Sequence, residues 1–94
     1  MTQRDEYVEK MKEQLDEMNA AIDRWQGKAR EAEGEMKEKY EVQLAAMREK
    51  SDAARAKLAE LRDSGEDRWQ SLRAEVERIK DALVHSYNYF KSQL

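Results

Sequence analysis

Apolar residues recur along this chain at Val8, Met11, Leu15, Met18, Ile22, Trp25, Ala29, Ala32 and Met36, in alternating steps of three and four. That spacing puts them on one stripe of an α-helix and repeats as a heptad seam. From Met36, two successive steps of four lead through Tyr40 to Leu44, after which Met47, Ser51, Ala54, Leu58 and Leu61 restore the alternation. Extra four-residue steps are stutters, which rotate the seam around the helix. Beyond Gly65 the rhythm resumes at Trp69, Leu72, Val76, Ile79, Leu83, Tyr87, Phe90 and Leu94. Nothing alternates with the period of two that a strand requires. The pattern predicts an all-α chain.

One break is well signalled. Arg62-Asp63-Ser64-Gly65-Glu66-Asp67 offers Gly65 as a left-handed helix terminator and sets Ser64 and Asp67 at capping-box spacing. Gly34, within Ala32-Glu33-Gly34-Glu35-Met36-Lys37, is surrounded by helix formers, without Pro or a capping residue. An isolated glycine costs a helix about 1 kcal/mol against alanine but does not end it, and Gly27 reads the same way. The predicted elements are a long helix over about 2–62 and a shorter one over about 66–93, folded as a long antiparallel helical hairpin in one coiled-coil domain, residues 1–94.

In that hairpin the second helix covers only the back half of the first, and the seam of residues 2–33 lacks a cover. Returned antiparallel over the middle segment, the seam assembles in layers: Val8-Leu61-Trp69, Met11-Leu58-Leu72, Leu15-Ala54-Val76 and Met18-Ser51-Ile79. The layers continue as Ile22-Met47-Leu83, Trp25-Leu44-Tyr87, Ala29-Tyr40-Phe90 and Ala32-Met36-Leu94. Two architectures satisfy them. A straight long helix gives an antiparallel homodimer, in effect a swapped three-helix bundle. A bend near Gly34 gives a monomeric three-helix bundle instead. The missing turn chemistry at Gly34 favours the dimer.

Composition sharpens this picture. The chain has 94 residues, 41% of them charged, with only 14 Leu, Ile, Val or Phe. So few large apolar residues would suit a disordered chain, but nearly all of them fall on the seam. The fold should be extended and thinly packed. A net charge of −3 with interleaved signs lacks the basic stripe that phosphate backbones require, so no nucleic-acid partner is expected. Without Cys there are no disulfides or thiolate sites. The start carries acids rather than an apolar signal segment, and the longest apolar run, Leu44 to Met47, cannot span a membrane. The expected location is the cytoplasm.

Candidate chemistry is sparse. His85, the one histidine, lacks the Glu three residues earlier that a di-metal helix site needs, since position 82 is Ala. A surface position is its ordinary reading. Paired carboxylates are read as solvated faces with pairs such as Glu6–Lys10, Glu33–Lys37 and Glu35–Lys39. Neither catalytic residues nor a cofactor or metal site is expected, and the chain reads as a non-enzyme. Trp25 and Trp69 lie on the seam, which favours core packing over a membrane-interface role. The methionines Met11, Met18, Met36 and Met47 read as adaptable core filler. Tyr89 stands off the seam and is the aromatic with a claim to an external contact. Asp23-Arg24-Trp25-Gln26 recurs as Asp67-Arg68-Trp69-Gln70, a short repeat given little weight in so biased a composition.

The opening run from Arg4 to Asp23, with Tyr7, Leu15-Asp16-Glu17 and Asn19-Ala20, resembles small bacterial coiled-coil domain-containing proteins of uncharacterised function. Tyr40 and the Ser64-Gly65 turn followed by Trp69 extend the likeness, which departs at Met18 and in the Tyr-rich tail. It implies a bacterial helical protein without assigning an activity. A looser likeness to apolipoprotein-type amphipathic helices comes through the 11-residue spacing. The expected function is a coiled-coil interaction or scaffold protein that self-associates through its heptad and hendecad seam, possessing the interface residues Val8, Met11, Leu15, Met18, Ile22, Trp25, Met47, Leu58, Leu61, Trp69, Leu72, Val76, Ile79, Leu83, Tyr87 and Phe90. The alternatives are a peripheral lipid- or granule-surface amphipathic protein, or a stress-associated solvating protein.

Overall fold

Thr2 opens the first helix: its hydroxyl accepts a hydrogen bond from the Asp5 amide at 3.2 Å, and Asp5 and Glu6 lie at the positive end of the helix dipole. The structure is a computed structural model that describes residues 2–93. It contains three helices, α1 (Gln3–Glu31), α2 (Glu35–Asp63) and α3 (Trp69–Ser92). They run up, down and up along a rod of 50 × 19 × 19 Å. A 29-residue helix is about 43 Å long, so α1 and α2 each span most of the rod. α2 is the central element and packs closely on both neighbours. α1 and α3 meet mainly through long side chains.

The long helix over 2–62 is therefore corrected: it breaks at Ala32–Gly34 and the chain folds back on itself as the three-helix bundle. The reason is local. Ala32 leaves the helix in extended geometry, its amide still bonded to the Ala29 carbonyl at 3.1 Å. Gly34 then takes φ 66° and ψ −141°, a backbone region that is essentially glycine's alone. The two four-residue steps from Met36 to Leu44, read as a stutter, lie inside α2, just after the reversal.

The second turn also differs from its expectation. Gly65 is not left-handed, since Gly34 alone has positive φ among the described residues. Ser64 does not cap forward: it bonds back, its amide at 3.2 Å and its hydroxyl at 2.7 Å both on the Leu61 carbonyl. Glu66–Arg68 form a turn, with the Arg68 amide on the Gly65 carbonyl at 3.2 Å, and α3 starts at Trp69 rather than near 66. The two copies of Asp-Arg-Trp-Gln consequently have different local structures, one inside α1 and one crossing this turn.

The core is one continuous column. Met11, Leu15, Ile22, Ala29, Leu44, Met47, Ala54, Leu58, Leu61, Leu72, Val76, Leu83 and Phe90 are buried together. Contacts between helices follow the predicted antiparallel registers: Asn19 meets Ser51, Asp16 meets Arg55, and Tyr40 meets Phe90. Of the last layer, Leu94 lies outside the described residues, and Met36 is 46% exposed.

Candidate interaction surface

The sixteen expected interface residues all lie where helices of the same chain meet. Met11, Leu15, Ile22, Met47, Leu58, Leu61, Leu72, Val76, Leu83 and Phe90 are buried, while Val8, Met18, Trp25, Trp69, Ile79 and Tyr87 are half-buried against them. The tryptophans pack as seam residues. Trp25 Nε1 donates to the Tyr87 hydroxyl at 3.1 Å, and its ring meets Phe90 edge-on at 5.5 Å. Tyr40 meets the same Phe90 ring edge-on, also at 5.5 Å. Edge-to-face contacts of this kind contribute beyond the area they bury. Their residues close the end of the rod next to Gly34.

A polar ladder that seam periodicity does not show joins α1 to α2. The Arg4 guanidinium donates to the Ser64 carbonyl, Arg55 pairs with Asp16, and Arg48 holds both Asp23 and Gln26. Ser51, fully buried, meets Asn19 in the middle of this ladder. With its amide nitrogen toward Ser51 Oγ at 2.8 Å, Asn19 turns its oxygen to the Arg55 guanidinium at 2.9 Å. A sequence signal exists for it: Asp16, Asn19, Asp23 and Gln26 flank the seam in steps of three and four, where coiled coils place register-setting polar residues. Glu6–Lys10, Glu33–Lys37 and Glu35–Lys39 are absent from the ion pairs among the described residues. Observed pairs instead cross between helices, as in Lys57–Glu75, or span three positions, as in Lys57–Glu60 and Glu77–Lys80. Glu33 also lies outside any helix.

Besides Trp25–Tyr87, a second polar link joins α1 to α3: the Tyr7 hydroxyl donates to Glu77 Oε1 at 2.8 Å beneath the Arg73 guanidinium. Burial and the Glu77 hydrogen bond push the phenol well above its usual range. For Glu77, burial opposes the charge, but hydrogen bonds from Lys80 and Tyr7 outweigh it and hold the carboxyl below its usual 4.5. A carboxylate whose folded value is depressed stabilises the fold above its unfolded value and loses that contribution as pH falls through the folded one. Thermal unfolding followed from pH 6 down to about pH 3 should therefore fall more steeply for the natural chain than for Glu77→Gln. Parallel curves would show that Glu77 is not stabilised in the fold.

Outside the core, apolar surface is gathered at one end. The large apolar residues left exposed among the described residues are Met36, Val42 at 69% and Tyr89 at 58%, all in the half of the rod next to Gly34. Tyr89 thus has the external position expected of it, and His85 is exposed on the same side. Between α2 and α3, Gln43, Ala46, Met47, Lys50, His85, Ser86 and Tyr89 line a shallow hollow of about 330 Å³. Val42 and Gln43 line the neighbouring hollow with Lys39. A second apolar hollow, about 290 Å³, lies between α1 and α3, over Leu15, Met18, Ala21, Leu83, Val84 and Tyr87. Ala21, off the seam yet buried, owes its burial to this side. Among the described residues no three His, Cys, Asp or Glu side chains cluster as metal ligands would, and no helix is long and apolar enough to cross a membrane. No family model matches the chain, and no curated protein or solved structure matches it either.

Proposed function

We propose that this chain is a non-enzymatic helical interaction module that assembles with copies of itself in the cytoplasm. One observation carries the reading: the exposed large apolar residues, Met36, Val42 and Tyr89, are gathered in one half of the rod while the seam is filled from within. Val42 and Tyr89 border neighbouring hollows that share Gln43, and apolar surface continuous in this way marks an interaction site more often than apolar residues scattered singly. Association through the seam itself requires α1 to leave its own α2 and pack on that of a second copy; association through the outer surface does not. The test is the mass of the chain in solution by sedimentation equilibrium. A weight-average mass that starts at 11.1 kDa and rises with concentration supports the reading. A constant 11.1 kDa up to about 1 mM, the weak end of specific affinities, overturns it.

A lipid-surface function is the second reading, favoured by the apolar hollow between α1 and α3, the two helices least closely packed. Opening there would present Trp25 and Trp69 to an interface. Co-sedimentation with anionic vesicles and a blue shift in tryptophan emission would support it; neither, at high lipid, would dismiss it.

A further inference from the structure

Among the described seam residues only Met36 is exposed, at 46%. Yet the seam's steps of three and four run unbroken from Ala29 through Ala32 to Met36. The closed bundle interrupts that stripe at Ala32–Gly34, where the chain turns back. The same turn leaves α2 without a side-chain cap at Gly34. A helix running straight through these residues would return helical partners to the last carbonyls of α1 and the first amides of α2. It would also bring Met36 back into line with Ala32.

We propose that the chain self-associates by reciprocal exchange of α1 between two copies, hinged at Ala32–Gly34. The proposal rests on the self-assembly reading above and names its mode. α1 is the part that separates: α2 packs closely on α3, whereas α1 and α3 meet mainly through long side chains. α2 and α3 therefore stay together while α1 changes chain. Register selects a second copy as the occupant. On α2, Asp16 meets Arg55, Asn19 meets Ser51 and Asp23 meets Arg48, and these polar contacts flank a buried seam. The α1 of a second copy carries the same residues at the same spacing, so it fits the vacated surface without a new contact.

Two straight antiparallel helices in the observed register cross at a two-fold axis level with Gly34 and Glu35. Met36 of each copy then lies across from Ala32 of the other, and the glycines let the helices approach closely at the crossing. The crossing also carries a cost. Glu33 and Glu35 of both copies gather within two residues of the axis, where like charges oppose association. Every seam and ladder contact is the same in the closed and exchanged forms. The balance between them is thus set by the hinge backbone, these carboxylates and the chain concentration.

Charge reversal along the ladder tests the exchange. One variant carries Asp16→Arg and Asp23→Arg, the other Arg48→Asp and Arg55→Asp, and each alone sets like charges together in its closed form. Unfolded together in urea and refolded at about 100 μM, the two match every ladder pair only by exchanging α1. Native mass spectrometry should show a ratio of heterodimers to homodimers at least about tenfold above that of random pairing. Glu33→Gln with Glu35→Gln, in an otherwise natural chain, should strengthen dimerisation about threefold in sedimentation equilibrium. No gain in that variant would remove the axis from Gly34. If the mixed variants pair at random, or not at all while the natural chain dimerises, α1 stays in place; exchange then falls and the self-assembly reading stands. If neither the mixture nor the natural chain dimerises up to about 1 mM, both fall.

Discussion

Gly34→Ala is expected to convert the closed bundle into a stable dimer of twice the 11.1 kDa chain mass. At φ 66° and ψ −141° an alanine is strained, at a cost of about 1–3 kcal/mol. In a helix running straight through the same position, alanine gains about 1 kcal/mol over glycine. The two terms act together, about 2–4 kcal/mol per chain, a shift of roughly 30- to 1,000-fold toward the straight form. A straight helix from α1 into α2 cannot fold back on itself. Its α1 half must pack on the α2 and α3 of a second copy, keeping every seam layer and the Asp16–Arg55 and Asp23–Arg48 pairs. Light scattering behind size exclusion reads the result. Gly27→Ala is the control. Gly27 lies inside α1 with open space where a Cβ would be, so the same chemical change should raise thermal stability and leave the mass unchanged. A Gly34→Ala chain that stays monomeric and merely melts earlier would mean that the turn can be rebuilt without glycine.

Ile22→Glu should abolish the fold. Ile22 is fully buried in the layer with Met47 and Leu83, whose side chains are at most 1% exposed. No cationic partner stands in that layer, so the carboxylate would be buried unpaired or would force α1 away. Either outcome costs more than about 4 kcal/mol, a large part of the roughly 5–15 kcal/mol that keeps a domain folded. Circular dichroism should show the helical signal largely lost at 25 °C. Val42→Glu makes the same chemical change at a residue 69% exposed and should leave the melting curve within about 0.5 kcal/mol of the natural one. Retention of full helicity by Ile22→Glu would refute the core as described.

The seam was readable because burial in a helical bundle has a period. Residues at steps of three and four share one face, so Met11, Leu15 and Ile22 could be assigned to the core without coordinates. The registers followed as well, since two antiparallel seams of equal period have few ways to align. What periodicity cannot see are contacts made by flanking residues. The Asp16, Asn19 and Asp23 ladder to Arg48, Ser51 and Arg55 depends on which helix lies beside which, and so do Tyr7–Glu77 and the burial of Ala21. The expected i to i+4 ion pairs are not formed either: spacing along one helix does not choose among neighbours, and Lys57 pairs with Glu60 three positions on and with Glu75 of α3.

The two glycine turns divide most clearly. Gly65 sits amid Ser and Asp, which signal a turn, and a turn is there, although Ser64 bonds back to Leu61 and the glycine keeps an ordinary φ. Gly34 carries no such signal and nevertheless supplies the left-handed link. By itself the sequence determines that the chain is helical, which face of each helix is buried and which residues share a layer, because these follow from spacing along a rigid helix. Whether α1 folds onto its own α2 is a choice that only the tertiary structure makes. The seam contacts are the same within one chain or between two, so they do not discriminate; three residues of backbone at Ala32–Gly34 do.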